Sequence, residues 1–309
     1  CLFSTAISDS MEQDPKRRIA ETYDAALTRL RAKNPSAVPA VVFCVASIVQ
    51  SISSDEELST LSEFCGGLPV FGYMAADDFE FSAQQVFLDG KNGGDLMALL
   101  LIAGNVRPVF EVKNLAGSRP FSRRKVTKAH DNIIQEIDGK PGREYLKDFP
   151  FIDEENRILW NYQFFVEMAG DEDNDGVPVS RALNTCDMEN GEISCFANVP
   201  ENSYITLMFC DDADVIASAE EALKELCAKI RSAETDDYRY STVFIASCSL
   251  RNMFLADRKD AEGTRVREIV PPSLTVSGLY AFGEIAPTSI KNGRAVNRFH
   301  NATMTICAL

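Results

Sequence analysis

Hydrophobic residues near the start of the chain repeat at helical spacing. From Ile19 onward they return every three or four residues and share one face, so the segment DPKRRIAETYDAALTRLRAK is predicted to form an amphipathic helix. Asp14 precedes it as a candidate cap, and Pro15 takes the first helical position. In SSDEELSTLSEF, Ser54 and Glu57 have the spacing of a capping box, which predicts a second helix.

Short apolar runs alternate with these helices and predict strands. Three such runs in the first part of the chain are CLFSTAIS, AVVFCVAS and LPVFGYM. A β-rich stretch follows in QQVFL, DLMALLLIA and VFEVKNL, with Asn92 and Gly93 as the predicted turn. We expect these last segments to pair as antiparallel hairpins.

The segment RKVTKAHDNIIQEIDGKPGREYLKDF is predicted to join two parts of the chain. Its strand, Ile133 to Ile137, ends at Asp138 and Gly139, and a short helix follows in PGREYLKDF. Further strands are predicted in ILWNYQFFVEM, PVSRALNTCDM, EISCFAN, SYITLMFC, STVFIASCS, VSGLYAFGEI and ATMTICAL. A long amphipathic helix is predicted after Asp211, between the fourth and fifth of these strands.

These elements predict a mixed α/β (α+β) protein of two packed α/β subdomains with mixed, largely antiparallel sheets. The boundary is expected near residue 125, which gives domains 1–125 and 126–309. With 309 residues, 45% of them hydrophobic, the chain can bury a sizeable core. It starts at Cys1 without an initiator Met, which is typical of a fragment or a processed product.

Charge and cysteine content narrow the possible partners. A net charge of −15 argues against nucleic acid or an anionic membrane as the main partner. The longest apolar run, Leu96 to Ala103, is too short to span a bilayer, so no membrane insertion is expected. The nine cysteines form no CxxC pair, which favours a reducing, cytoplasmic setting without a zinc site or a disulfide framework.

One segment resembles the start of a calcium-binding loop. DEDNDGVPVSRA begins with suitable residues at Asp171, Asp173, Asp175 and Gly176. Its twelfth position, however, is Ala182 in place of the bidentate Glu that calcium requires, so a solvated acidic loop is predicted. The chain also contains no Gly-rich phosphate loop, GxSxG or HExxH motif, and no metal or cofactor is expected.

The last third of the chain carries a specific order of motifs. A strand ends in Ser-Cys with an Arg close behind, a Glu follows, a glycine-aromatic strand leads into Gly-Glu-Ile-Ala-Pro, and His-Asn-x-Thr precedes the final strand. The residues are Ser247, Cys248, Arg251, Glu262, Gly278, Tyr280, Gly283, Glu284, Pro287, His300, Asn301 and Thr303. This order resembles the C-terminal half of the FIST sensory domain.

Looser matches upstream extend the resemblance over most of the chain. LPVFGYMAADD is similar to a family strand, with Tyr73 in place of its second glycine, and Asn202 stands where the family has a glycine corner. The family usually has another unit of this kind upstream, so we expect truncation within the N-terminal half. The resemblance implies intracellular sensing of a small ligand, with amino acids as the favoured class, and implies no catalysis. The signalling output module is then expected outside this chain, as in bacterial-type signalling.

The matched side chains suit an amino-acid ligand. Arg251 can clamp a carboxylate, Glu262 or Glu284 can accept an ammonium group, and Asn301 offers both a donor and an acceptor. Tyr280 is carried over from the same motif as a ligand contact. The alternative is an internal ion pair of Arg251 with Glu262 or Glu284 that holds two strands together. Pro287 predicts that the strand containing Glu284 stops there.

Three further residues have open roles. His300 is expected to anchor the last strand by hydrogen bonds, with Asn301 as the better ligand contact, and Thr303 is secondary. An enzyme remains the alternative, with Cys248 as nucleophile, His300 as its base and Glu284 orienting the ring. A scaffold that binds only proteins is a third class, and it predicts an exposed apolar patch instead of a polar pocket.

Overall fold

The computed structural model describes residues 1–115, 119–147, 162–168, 175–187 and 189–309. The predicted mixed α/β class with mixed sheets is confirmed. Asp171 and Asp173 of the apparent calcium loop lie outside the described residues, whereas Asp175 accepts hydrogen bonds from the Thr288 and Ser289 hydroxyls. Within the described ranges, no helix is long and apolar enough to cross a membrane.

The elements are numbered in chain order. The helices are α1 (Pro15–Lys33), α2 (Ser54–Phe64), α3 (Gly142–Leu146), α4 (Asp212–Ala233), α5 (Ser249–Phe254) and α6 (Ala261–Ile269). The first ten strands are β1 (Leu2–Ile7), β2 (Pro39–Ala46), β3 (Val70–Met74), β4 (Val86–Leu88), β5 (Lys91–Gly93), β6 (Met97–Ala103), β7 (Val109–Asn114), β8 (Arg119–Pro120), β9 (Arg124–His130) and β10 (Ile133–Ile137). The others are β11 (Lys140–Pro141), β12 (Tyr162–Glu167), β13 (Val179–Cys186), β14 (Ile193–Cys195), β15 (Tyr204–Phe209), β16 (Thr242–Cys248), β17 (Thr275–Ala281), β18 (Glu284–Lys291), β19 (Arg294–His300) and β20 (Thr303–Ala308).

Two sheets form the centre of the molecule. The N sheet has the strand order β1-β6-β2-β3-β18-β19, and the C sheet has the order β7-β20-β16-β17. The sheets face each other across an aromatic layer in which Phe43 contacts Phe71 and Phe244 edge to face. Helices α1 and α2 share a core with the outer face of the N sheet, and α4 packs with the outer face of the C sheet. The order of layers is therefore helix, sheet, sheet, helix.

Six of the remaining strands close into a barrel. Strand pairing runs β9-β10-β14-β13-β12-β15 and returns from β15 to β9, so these six antiparallel strands have no free edge among them. Their inward side chains, such as Phe164, Leu183 and Leu207, form a separate buried core. The predicted domain boundary at residue 125 falls inside β9.

Each half of the chain contributes strands to the sheet of the other half. β7 comes from the first half and pairs with β20 in the C sheet, whereas β18 comes from the second half and pairs with β3 in the N sheet. Both pairings are antiparallel: β18 extends the parallel pair of β2 and β3, whereas β7 extends the antiparallel pair of β16 and β20. The two central sheets consequently cannot separate without breaking backbone ladders.

Several local predictions need correction. Asp14 has a left-handed backbone and makes no side-chain capping bond to α1, and α2 is capped by Ser53, one residue before the predicted Ser54. The turn predicted at Asn92 and Gly93 lies instead at Asp89 and Gly90, which both have positive φ angles and connect β4 to β5. Asp and Gly tolerate that conformation, and this makes the earlier pair the better turn.

The strand pairing also differs from the prediction. Only β4 and β5 form a hairpin in the predicted region, because β6 lies between β1 and β2 and β7 joins the C sheet. Pro287 does not end its strand: β18 runs on to Lys291, and the register shifts between Pro287 and Ser289. This irregularity accommodates the residue that lacks an N–H. Strand β19 and helices α5 and α6 were not predicted from the sequence.

A buried arginine joins the barrel to the N sheet. Arg181 of β13 is fully buried and contacts Asp55 of α2 through Nη2 at 2.8 Å. Its Nη1 donates to the Phe299 carbonyl of β19, and its Nε donates to the Asn198 carbonyl. Asp55 also accepts the Asn198 N–H, so one ion pair joins three elements.

Replacing Arg181 by Met should lower the free energy of unfolding by about 3 kcal/mol, because Asp55 and two carbonyls lose a buried donor. Urea denaturation measures the change. Arg123→Met is the matched control, since Arg123 forms an exposed pair with Glu167 on the same barrel and its loss should lower the stability far less. Equal losses in the two variants would show that Arg181 has no special structural role.

Candidate functional site

The most unusual polar groups lie where the chain crosses between the two central sheets. It leaves β17 of the C sheet and enters β18 of the N sheet through Phe282 and Gly283, and it returns through Asn301 and Ala302. A Cβ on Gly283 would lie 2.3 Å from the Phe299 ring, so only glycine fits this crossing. Ala302 has φ 51°, which reverses the chain at the second crossing. Both crossings lie beside Cys248, the last residue of β16.

Glu284 is buried at the first crossing. Its Oε2 accepts the Thr303 N–H at 3.3 Å, and its Oε1 is buried with no hydrogen-bond partner among the described residues. Burial raises the pKa of this carboxyl well above its usual range, although the Thr303 N–H and the neighbouring Cys248 thiol oppose the shift. Burial therefore favours the neutral form of Glu284, which can donate as well as accept a hydrogen bond.

Asn301 is buried at the second crossing. Its amide nitrogen donates to the His300 carbonyl at 3.2 Å, while its Oδ1 is buried without a partner in the described part of the chain. The Thr303 hydroxyl lies 2.8 Å from the Asn301 carbonyl and 3.1 Å from Asn114 Oδ1, and these contacts hold the crossing against β7. The structure thus brings Glu284, Asn301 and Thr303 together, as the motif order predicts.

His300 makes a structural contact with the neighbouring strand of the N sheet. Its Nε2 lies 3.2 Å from the Ala286 carbonyl of β18, and burial lowers the pKa of the ring to about 3. The ring is consequently neutral, with Nε2 as the donor. This contact lies within the β18–β19 hairpin, so the anchoring of the last strand, β20, by His300 stays a prediction.

The thiol of Cys248 lacks the surroundings of an activated nucleophile. Burial and the nearby Glu284 carboxyl raise the pKa of the thiol well above its usual range. No hydrogen bond joins Cys248 to His300 in the described residues, and the side chain beside the thiol is Glu284. A nucleophilic cysteine needs a lowered pKa, whereas burial and Glu284 shift the pKa of this thiol upward.

Aromatic rings cover the crossing. Phe81 stacks on Phe282 with ring centroids 4.6 Å apart and on Phe196 at 6.0 Å. Beneath them lies a crevice of about 20 Å³ that Cys248 and Asn301 also line, and a space of this size holds roughly one water molecule. The covering residues 77–83 are called the aromatic loop below.

The aromatic loop has an unusual backbone. Asp78, Phe79 and Phe81 all have φ angles between 54° and 67°, a conformation that is costly for bulky residues. The Asp77 carboxylate holds the loop by accepting the N–H groups of Phe81, Ser82 and Ala83. The loop therefore closes the crevice at the expense of local strain.

Arg251 and Glu262 form an internal ion pair on the other face of the C sheet. The Arg251 Nε and Nη2 lie 2.9 and 2.7 Å from Glu262 Oε1, and both side chains are buried. Arg251 also donates to Ser218 Oγ and to the Val215 carbonyl of α4, and Ser247 donates to Glu262 Oε2. The guanidinium is thus held by the protein itself, the alternative that the sequence left open.

Tyr280 and Glu262 line a groove between α6 and β17, with a volume of about 380 Å³. Burial raises the pKa of the Tyr280 hydroxyl, and the Glu262 carboxylate adds to the shift. Successive residues of a strand face opposite sides of the sheet, so Ser247 faces this groove whereas Cys248 faces the crevice. The predicted site residues therefore fall into two groups on opposite faces of β16.

Sequence reasoning missed the aromatic cover. The motifs identified the polar groups at the crossing. They did not identify Phe79, Phe81 and Phe196, and they did not show that Phe282 belongs to the cover. The acidic and aromatic run DDFEF is the only local signal, and it is ambiguous because aromatic residues most often belong to a core.

Comparison with protein families accounts for nearly the whole chain. A model of the FIST N domain matches residues 2–140, and a model of the FIST C domain matches residues 143–287. No curated protein gives a significant match. The second match contains Cys248, Arg251, Glu262, Tyr280 and Glu284 but ends before Asn301.

Arg251→Met should lower the free energy of unfolding by about 3–5 kcal/mol, because Glu262 would keep a buried charge without its cationic partner. Adding Glu262→Leu should recover part of this loss, and urea denaturation of both variants measures it. A loss under ~1 kcal/mol for Arg251→Met would contradict the structural role and favour a ligand clamp.

Proposed function

Because this chain belongs to the FIST family of sensory domains, we propose that it senses a small ligand, bound at the sheet crossing under the aromatic loop. The observation that carries the proposal is the pair of buried oxygens, Glu284 Oε1 and Asn301 Oδ1, which have no partner in the described residues. Each unsatisfied buried group costs about 1–3 kcal/mol. A ligand that donates hydrogen bonds to both would remove this cost.

The chemistry of the crossing favours an amine. Glu284 and Asn301 present acceptor oxygens, and a ligand ammonium group can donate to both. The surrounding Phe rings suit an apolar body and attract a cation through their faces. A carboxylate finds no free cation at Arg251, since that guanidinium is held by Glu262. Within the amino-acid class, we therefore propose an apolar amino acid or related amine whose carboxylate, where present, points toward the open end of the crevice.

Ligand entry requires the aromatic loop to move. The crevice has room for only about one water molecule, so Phe81 and its neighbours must shift before an amine can fit. The strained backbone at Phe79 and Phe81 makes the closed loop a state that a ligand can replace at low cost. This displacement would be the conformational signal, read by an output module outside this chain.

We also propose that the protein works in a reducing, cytoplasmic compartment and has a binding role without catalysis. All nine cysteines are free of disulfides, which supports a reducing, cytoplasmic compartment. The raised pKa of Cys248 and the hydrogen bond of His300 to the Ala286 carbonyl support a binding role over a catalytic one.

Binding of an amine should release a proton, because burial favours the protonated form of Glu284 in the free protein and the carboxyl must ionise to pair with ammonium. Calorimetry in buffers of different ionisation enthalpy measures the release. Suitable probes are leucine, phenylalanine amide and phenethylamine, each with its N-acetyl counterpart. A probe at 100 times its Kd should add about 2.7 kcal/mol to the free energy of unfolding.

Glu284→Gln should weaken amine binding about tenfold or more, since it removes a charge-assisted hydrogen bond. Glu57→Gln is the matched control: Glu57 is also buried, with its pKa raised to about 8 by burial, but it lies on α2. Failure of every probe to bind, or equal weakening by the two variants, would contradict the proposed site.

A further inference from the structure

The two central sheets repeat one arrangement, and in the C sheet one position of that arrangement is open. The order β1-β6-β2-β3 in the N sheet corresponds to β7-β20-β16-β17 in the C sheet. Every pair has the same direction in both sheets: antiparallel, antiparallel, then parallel. The N sheet continues beyond β3 with the β18–β19 hairpin, whereas no described strand continues the C sheet beyond β17.

Details of the parallel pairs confirm the correspondence. Gly72 of β3 pairs with Cys44 of β2, and Gly278 of β17 pairs with Ile245 of β16. A Cβ on either glycine would lie close to the carbonyl oxygen of its partner, at 1.8 Å from Cys44 and 3.2 Å from Ile245. Gly278 thus occupies in the C sheet the place that Gly72 occupies in the N sheet.

The groove beside the added strand is filled in the N sheet. Ile285 of β18 and Phe299 of β19 belong to the same core as Leu58 and Leu61 of α2. The equivalent groove in the C sheet, between α6 and β17, is the cavity of about 380 Å³. Apolar side chains line much of it, including Val266, Val276 and Met304.

The outer edge of β17 is able to pair. The Thr275 N–H donates to the Ser241 carbonyl on the β16 side, so the alternation of a strand directs the N–H groups of Val276, Gly278 and Tyr280 outward. Leu279 is 39% exposed, and β17 carries no charge and no proline that would block an added strand.

We propose that this edge and groove bind an antiparallel β-hairpin of a partner protein, with apolar side chains such as Ile and Phe inserted beneath α6. The β18–β19 hairpin on β3 shows the geometry of the occupant. Arg267 lines the groove and donates to Thr264, and no carboxylate of the described residues pairs with it, which favours an acidic partner residue at this rim. A second copy is disfavoured because the chain carries a net charge of −15.

The probe is a synthetic hairpin with the sequence of residues 283–300, carrying Lys291→Glu and Arg294→Glu so that it does not bind this acidic chain through positive charge. Hydrogen exchange followed by NMR should show the amides of Val276, Gly278 and Tyr280 slowed about tenfold or more at about 1 mM probe. The amides of Ser277 and Leu279, which face β16, should change little. A control hairpin with Ile285→Ser and Phe299→Ser should give no protection.

Two variants of the full chain test the groove. Gly263 of α6 lines it, and an added Cβ would meet only Arg267 Nη1 at 3.6 Å, so a side chain can start from this position without a clash. Gly263→Phe should fill the groove and abolish protection, whereas Gly263→Ala should bind the hairpin like the original chain. The proposal is overturned if the probe slows none of the three amides, or if Gly263→Phe and Gly263→Ala bind equally. It is also overturned if these amides are already protected in the free protein in proportion to its concentration, because a second copy would then be the occupant.

Discussion

The exchange of strands between the two halves is the constraint on which the structure depends. β18 continues the N sheet beyond β3, and β7 continues the C sheet beyond β20. Each pairing satisfies backbone groups that would otherwise lie unpaired at the edge of a strand. The aromatic layer of Phe43, Phe71 and Phe244 then packs between two sheets that are already joined covalently and by hydrogen bonds. The barrel is held to this unit by Arg181, whose contacts reach α2 and β19.

The candidate site follows from the same exchange. A chain that donates β18 and β19 to the other sheet must cross between the sheets twice, and both crossings lie beside the end of β16. Crossing segments carry backbone and side-chain polar groups into a place that packed sheets shield from water. Glu284 and Asn301 are these groups. Each has an oxygen without a hydrogen-bond partner among the described residues, and a bound ligand would offset the resulting loss of stability. The aromatic loop adds a cover that can be displaced.

Sequence periodicity was sufficient for the local elements. α1, α4 and most strands lie where apolar spacing predicts them, because each buries one face against a sheet or a core. Pairing was predicted poorly: β7 looked like part of a hairpin and joined β20, almost two hundred residues away in the chain. Neither turn residues nor spacing encode such a partner, because it is chosen by packing across the whole fold.

The site was predicted only in part for a similar reason. The motif order indicates that Glu284, Asn301 and Thr303 are neighbours, and they are. It also groups Arg251 and Glu262 with them, although these two lie on the opposite face of β16. Ser247 and Cys248 are successive residues of one strand, so their side chains face opposite sides of the sheet. The sequence therefore already indicated two separate groups of residues. The aromatic cover comes from a loop more than 160 residues upstream of Cys248, and no local pattern connects the two.

The most direct test of this account is the ionisation state of Glu284, observed by NMR of ¹³C-labelled glutamate carboxyls with Glu284→Gln used for assignment. The account predicts that the Glu284 carboxyl remains protonated at neutral pH in the free protein, because burial raises its pKa well above the usual range. A Glu284 resonance that titrates near the ordinary glutamate pKa of about 4.3 would contradict it, since the crossing would then be solvated and would need no ligand.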